Sequence, residues 1–274
     1  DSYSHSIVLA CKNSGEIPTS FKWVKVDNKN AKEYDVTSIA NGAFKGVELD
    51  KITIPSNVKS IGDYAFEQST LRTVYISSGV ESIGRSAFEG ATNLAFVSVA
   101  DSVKSIGYAA FRGTGFYAQK QATEKGISYI GKVAYAYHGD KNSVTELEIA
   151  DGTVGIAEHA FERMSNLKKI TLPSSLKHID KEAFVGCKNL TNLYFNGTDD
   201  SWKAVTKVKN WDLNLPTHKT WTLCHCEEKS HDHDGDGIVK KSDEAADVCQ
   251  NYKLFGAEVC EECFDKEVDK IINN

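Results

Sequence analysis

One phrase of 22 or 23 residues is written repeatedly along this chain, and it leaves little choice of fold. It reads LDKITIPSNVKSIGDYAFEQST from Leu49, LRTVYISSGVESIGRSAFEGATN from Leu71 and LAFVSVADSVKSIGYAAFRGTG from Leu94. It returns as VTELEIADGTVGIAEHAFERMSN from Val144 and LKKITLPSSLKHIDKEAFVGCKN from Leu167, with a fragment, VTSIANGAFKGVE, ahead of them all. The Ala-Phe pairs set the register: Phe44, Phe66, Phe88, Phe111, Phe161 and Phe184 stand 22, 22, 23, 50 and 23 residues apart. Apolar residues in fixed places at such a period specify a solenoid, in which each coil leaves open an apolar face that only its neighbour covers.

Within one coil, L-x-x-I-x-I/L alternates apolar with polar residues. Ile52 and Ile54, Val74 and Ile76, Val97 and Val99, and Ile170 and Leu172 therefore point inward from a short strand. A polar turn follows, then V/L-x-x-I, then G/D-x-x-A-F, expected on a short helix or helical turn with the Phe filling the middle of the coil.

This phrase resembles the BspA-like, or treponemal, class of leucine-rich repeat, whose consensus reads approximately LxxIxLPxSLxxIGxxAFxxC. The resemblance spans about Val36 to Phe195. It implies an α/β solenoid, a right-handed superhelix with a parallel sheet, of a kind found mainly in secreted or surface proteins of host-associated bacteria. It also implies adhesion or host contact rather than catalysis, with a host or neighbouring-cell protein or glycan as partner and an extracellular or cell-surface location. Cys187 occupies the Cys position of the consensus and reads as core.

The remaining chain divides around that array. Residues 1–34 lack the repeat; SIVLA and FKWVKV read as strands of an N-terminal cap. The solenoid covers 35–215, with an insert at about 116–143 and a C-terminal cap at about 196–215, and 216–274 form a small acidic, Cys-rich segment. In the insert, Ile127, Tyr129, Val133, Tyr135 and Tyr137 flank Gly131 as in a β-hairpin. After the last coil, Asn196-Gly197-Thr198 opens a helix with Thr198 or Asp199 as its N-cap, and Trp202 is expected to pack on that coil.

Composition narrows the partner. The net charge of −6 is uneven: from Thr222 onward there are 14 Asp and Glu against 6 Lys, which leaves the rest nearly neutral. No basic cluster interleaved with aromatics offers itself to nucleic acid. No apolar run approaches the roughly 20 residues of a membrane span. The chain opens at Asp1 with neither Met nor a charged-then-apolar leader, as expected of a mature or trimmed chain. No nucleophile with a partnered base, carboxylate pair or phosphate loop is legible, so no enzyme is expected.

Two surfaces are candidates for binding. On the outward strand positions Tyr75, Phe96 and Tyr194 are aromatic among Lys51, Thr53, Thr73, Ser98, Glu146, Glu148, Lys169, Thr171 and Asn192. Such rings stack on sugars or anchor protein partners, and Phe96 meets Tyr75 across adjacent strands if the register holds. On the insert, Tyr129, Tyr135 and Tyr137 form a second candidate, a binding lip. The competing readings are ordinary cross-strand packing, a purely structural hairpin, and a chain that serves as spacer or display scaffold.

The tail carries the candidate metal chemistry. In DHDGDGIVKKSD, carboxylates at loop positions 1, 3, 5 and 12 (Asp232, Asp234, Asp236 and Asp243), with the Ile238 carbonyl at position 7 and Gly237 at position 6, match a calcium loop. The loop resembles a dockerin-type half EF-hand, but a dockerin has two such segments and only one is present, so a cohesin-like partner is not expected. Cys224, Cys226, Cys260 and Cys263 form either a four-thiolate zinc site or disulfides, with free thiols as the third reading. Cys11 reads as a buried small hydrophobe or a disulfide partner.

Overall fold

The computed structural model describes residues 20–23, 32–213, 215, 220–223, 252–254 and 257–259, with side chains at 36–198, 200–213 and 215. Each coil opens with a short strand that pairs in parallel with its counterpart one repeat away. Lys51–Ile54, Thr73–Ile76 and Phe96–Val99 form one such sheet in that order, and Lys51, Ile52, Thr53 and Ile54 lie opposite Thr73, Val74, Tyr75 and Ile76. The alternation acts as expected: Ile52, Ile54, Val74 and Ile76 are buried while Lys51, Thr53 and Tyr75 face water. Past the insert the sheet resumes with Glu146–Glu148, Lys169–Leu172, Asn192–Phe195 and Thr220–Leu223. Outside the coils, Ser20–Trp23 pairs antiparallel with Lys32–Asp35.

A second ladder is made of two-residue strands, Ser38–Ile39, Ser60–Ile61, Ser82–Ile83 and Ser105–Ile106, each Ile buried over the last. Of the two forms expected for the A-F phrase, a short helix or a helical turn, the structure has no helix but a run of single turns. The Tyr64, Phe66 and Gln68 N–H groups donate to the Arg85, Ala87 and Glu89 carbonyls of the next coil (2.7–2.8 Å), while Ala65, Glu67 and Ser69 close single turns within their own. Because every second donor leaves for the neighbouring coil, no continuous i→i+4 series accumulates. The geometry repeats a left-handed residue at two places four apart, as in Tyr64 and Gln68, Ser86 and Gly90, or Glu182 and Gly186. Among the described residues the α-helices are Gly115–Thr123 and Asp199–Ala204, both outside the repeats.

The six Phe rings are all buried and stack in two runs. Phe44, Phe66, Phe88 and Phe111 are 4.9, 5.1 and 5.2 Å apart between centroids, nearly parallel, and Phe161 lies 5.5 Å from Phe184. Between the runs sits the insert. Helix Gly115–Thr123, not foreseen in the sequence, is capped by the Thr114 hydroxyl, which accepts the Tyr117 N–H at 3.1 Å. The hairpin Gly126–Ile130 and Val133–His138 follows, and its second strand pairs in parallel with Gly155–Ile156 of the next coil.

The insert thus takes part of a coil's position: its second strand pairs with Gly155–Ile156 as a coil would, while the Glu158 N–H still reaches the Ile106 carbonyl directly at 3.1 Å, and side chains replace some of the missing backbone. Phe44, Phe66, Phe88 and Phe161 each donate their N–H to an Ala carbonyl of the next coil; Phe111 donates instead to the Tyr135 hydroxyl at 3.2 Å. Likewise buried Asp180 accepts the Ile106 N–H at 3.1 Å and the Ser105 hydroxyl at 2.9 Å. The buried Glu158 carboxylate accepts the Tyr108 N–H at 2.9 Å, a group whose counterparts on Asp63 and Arg85 donate to the Asn41 and Asp63 side chains of the preceding coil. Glycine use shifts with the geometry. A Cβ on Gly84 would lie 2.5 Å from backbone of the preceding coil; at the equivalent places after the junction stand Ala157 and Asp180, and the close approach moves to Gly155, whose Cβ would lie 2.0 Å from the Lys104 carbonyl oxygen.

Beyond the last described coil, Thr198 caps helix Asp199–Ala204, its hydroxyl accepting the Ser201 N–H at 3.2 Å. Trp202 packs on Phe195 at 5.1 Å, and Trp211 packs edge-on to Phe184 at 6.1 Å. The two tryptophans thereby cover apolar side chains at this end of the ring stack.

Candidate functional site

The outward face of the first sheet brings two of the three expected aromatics together. Phe96 lies opposite Thr73 and Tyr75 opposite Ser98, so the rings meet diagonally, 5.6 Å apart and tilted by 49°. Phe96 is 51% and Tyr75 37% exposed. The Lys51 ammonium stands 4.8 Å from the centre of the Tyr75 ring, within cation–π range. Three successive strands therefore present a cation, a phenol and a phenyl ring in a row. Tyr194 stands apart on the far side of the insert, half-buried, with the Lys169 ammonium 4.9 Å over its ring.

The hairpin tyrosines divide differently from the expected lip. Tyr135 is a core residue, only 6% exposed, set edge-on to Phe111 and Tyr117 with its hydroxyl spent on the Phe111 N–H. Burial pushes its phenol above the ordinary range, so it stays neutral. The Tyr129 hydroxyl accepts the Ala150 N–H at 3.0 Å, which ties the hairpin to the following coil. Tyr137 is half-buried against the core. Val133, Ala134 and Tyr135 are buried in succession rather than alternately, because this strand packs between two coils, and no local pattern shows that.

Cys187 is buried, and its thiol donates to the Phe161 carbonyl at 3.1 Å. Burial raises its pKa to about 11. Next to the hairpin, His138 is 9% exposed with Nε2 3.2 Å from the Tyr117 hydroxyl, and desolvation lowers its pKa. Asp232, Asp234, Asp236, Ile238 and Asp243, like Cys11, Cys224, Cys226, Cys260 and Cys263, lie outside the described residues. Among the described residues no group of three or more His, Cys, Asp and Glu could hold a metal ion, and no helix is long and apolar enough to cross a membrane.

Sequence reasoning missed an exposed row on the turn side. Tyr64 and Tyr108 are 47% and 37% exposed, and Tyr108 meets the His159 ring at 4.7 Å, with the Arg112 guanidinium 5.8 Å from its own ring centre. His159 is flanked by Glu162 at 3.1 Å on Nδ1 and Glu182 at 3.2 Å on Nε2. These residues occupy variable positions around the A-F pair. The available signal was that Tyr64, His159 and Glu182 each stand two residues before the Phe of their phrase, with Tyr108 three before its own.

Several solved structures are similar to this chain. A leucine-rich repeat protein from Bacteroides ovatus is 25% identical over 76% of this chain and 46% of its own, with a TM-score of 0.35. This chain thus spans about half the length of that protein. The Treponema pallidum leucine-rich repeat protein is 20% identical over 75% of this chain and 100% of its own (TM-score 0.32). The pneumococcal vaccine antigen PcpA is 20% identical over 76% and 71% (TM-score 0.30). No curated protein matches the chain. The model of the BspA type leucine-rich repeat region matches residues 18–140 and 128–204, in six copies. With well over half its length in that match, and with coils, Phe stack and parallel ladders in place, this chain belongs to the BspA-type leucine-rich repeat family.

Proposed function

We propose that the chain is a secreted or cell-surface, non-enzymatic recognition module that binds a partner protein through the outward sheet face around Tyr75 and Phe96. The observation that carries this reading is the solvent-facing ring pair beside Lys51, on a sheet whose other described outward residues are polar or charged apart from Tyr194. Rigid aromatic anchors with a neighbouring cation are the groups that dominate protein interfaces. Family membership supports the surface location and the absence of catalysis.

The test is binding of the full chain to immobilised host matrix proteins and to a glycan array, with Phe96→Ala and Tyr75→Ala beside the parent. A protein ligand whose affinity falls at least about tenfold in Phe96→Ala supports the proposal. Glycan binding lost in the same variants would transfer the face to a sugar ligand. Binding indifferent to both substitutions, or none on either panel, would overturn the reading in favour of another face or a spacer.

For the tail we propose a calcium ion held by Asp232, Asp234, Asp236, the Ile238 carbonyl and Asp243, on the strength of their spacing. Calcium should raise the melting temperature and EDTA lower it, and identical melts would refute the site. Elemental analysis with thiol counting separates calcium from zinc on Cys224, Cys226, Cys260 and Cys263, and both from disulfides.

A further inference from the structure

The insert interrupts the first sheet and leaves a strand edge open. Among the described residues, Phe96–Val99 pairs with Thr73–Ile76 on one side and with no strand on the other, and Glu146–Glu148, where the sheet resumes, pairs only with Lys169–Leu172. Phe96 and Ala100 donate their N–H groups to Arg72 and Ile76. Backbone groups alternate along a strand, so Val97 and Val99 turn theirs to the open edge. By the same parity, with Ile149 donating to Thr171 and Lys169 to Thr145, Glu146 and Glu148 turn theirs to the other side of the break.

The break is bounded at both ends. The Phe116 N–H meets the Leu94 carbonyl at 2.6 Å, and a Cβ on Gly131 would lie 3.1 Å from Val99 Cγ1. Between these ends the apolar floor is half covered. Val97, Val99 and Leu147 are partly exposed, whereas their ladder partners Val74, Ile76 and Ile170 are 0%, 3% and 0% exposed. The edge Phe-Val-Ser-Val carries none of the charges or prolines that blunt strand edges, while exposed Glu146 and Glu148 stand on the resuming strand.

We propose that the Phe96–Val99 edge is a docking site for an extended segment of a partner protein, which adds as a strand with apolar side chains over Val97, Val99 and Leu147 and with Lys or Arg turned outward to Glu146 and Glu148. Main-chain pairing supplies the affinity, and the two glutamates select a basic partner. The inference rests on the recognition reading for its biological setting, but its geometry is the edge and not the ring pair.

The probe is a blocked peptide alternating Lys and Val over seven residues, titrated into the full chain, with a Glu and Val peptide as comparator. The Lys peptide is expected to bind saturably and to slow exchange of the Val97 and Val99 amides at least about tenfold, and the Glu peptide to do neither. Val97→Pro, which removes a donor outside the existing ladder, should abolish binding while leaving Tyr75 and Phe96 in place. If that variant does not fold, N-methylation of alternate peptide residues serves instead and should abolish binding to the parent chain. Binding that survives either change, or equal behaviour of both peptides up to roughly millimolar concentration, overturns the proposal. Self-association that Val97→Pro abolishes would assign the edge to a second copy and overturn it too. Phe96→Ala and Tyr75→Ala losing their protein ligand while peptide pairing persists would separate the two readings.

Discussion

The contact between the coils of Phe66 and Phe88 and the contact across the insert do the same job with different chemistry. In the first, the Tyr64, Phe66 and Gln68 N–H groups find backbone carbonyls, the rings stack face to face, and glycine sits where backbones nearly touch. In the second, the Tyr135 hydroxyl and the Asp180 carboxylate accept the Phe111 and Ile106 N–H groups, Tyr135 meets Phe111 edge-on, and the close-packed glycine moves two places to Gly155. A repeat can therefore be broken inside a continuous core if side chains supply the acceptors that a missing coil takes away. The cost is positional: backbone acceptors come with any sequence, whereas Tyr135 and Asp180 must be those residue types.

The comparison can be broken hardest in the regular coils. Phe88→Ala opens a void between two rings of the stack and should cost about 3–5 kcal/mol in denaturant unfolding. Gly155→Ser comes next and is the sharper test, because it restores the Ser of Ser60, Ser82 and Ser105 yet drives a Cβ to 2.0 Å from the Lys104 oxygen. It should destabilise by about 1–3 kcal/mol, whereas Ser82→Gly, in the regular array, should cost no more than about 1 kcal/mol. A neutral Gly155→Ser would mean the junction is an ordinary coil contact.

Smaller effects probe single groups. Tyr135→Phe keeps the ring and removes the acceptor from the buried Phe111 N–H, for an expected loss of about 1–3 kcal/mol. Burial raises the Cys187 thiol to about 11 in the folded chain, from 9.0 for an ordinary thiol. As pH rises between those values the unfolded chain releases this proton first, so the contribution of this group to stability is intact below about pH 9 and is lost towards pH 11. Cys187→Ala should therefore lose less stability over that interval than the parent, and equal alkaline losses would place the thiol in water.

Most of the coil was legible because its causes are local and repeated. Strand alternation, the buried Phe, the Thr198 cap and the Trp202 contact each follow from residues within one phrase or its immediate neighbour. The diagonal meeting of Tyr75 and Phe96 was legible for the same reason, since a 22–23 residue period fixes which side chains stand beside each other. What escaped reading depended on where the insert folds back. Tyr135 was expected on a binding lip and is core, and the buried acceptors Glu158 and Asp180 stand at phrase positions held by Arg85 and Gly84 in the regular coil. The exchange of S-I-G for G-I-A and H-I-D was the visible trace of the junction, but only the close approach of the Lys104 carbonyl explains it.

The most direct test of the central claim, that at Phe111 a side chain of the insert stands in for the backbone carbonyl of a coil, is residue-resolved hydrogen exchange at the Phe111 amide. If the Tyr135 hydroxyl replaces a neighbouring carbonyl, Phe111 will be protected in the parent chain to the same order as Phe88, and Tyr135→Phe will release it while leaving Phe66 and Phe88 unchanged. A Phe111 amide that exchanges freely in the parent, or that keeps its protection without the hydroxyl, would contradict the account.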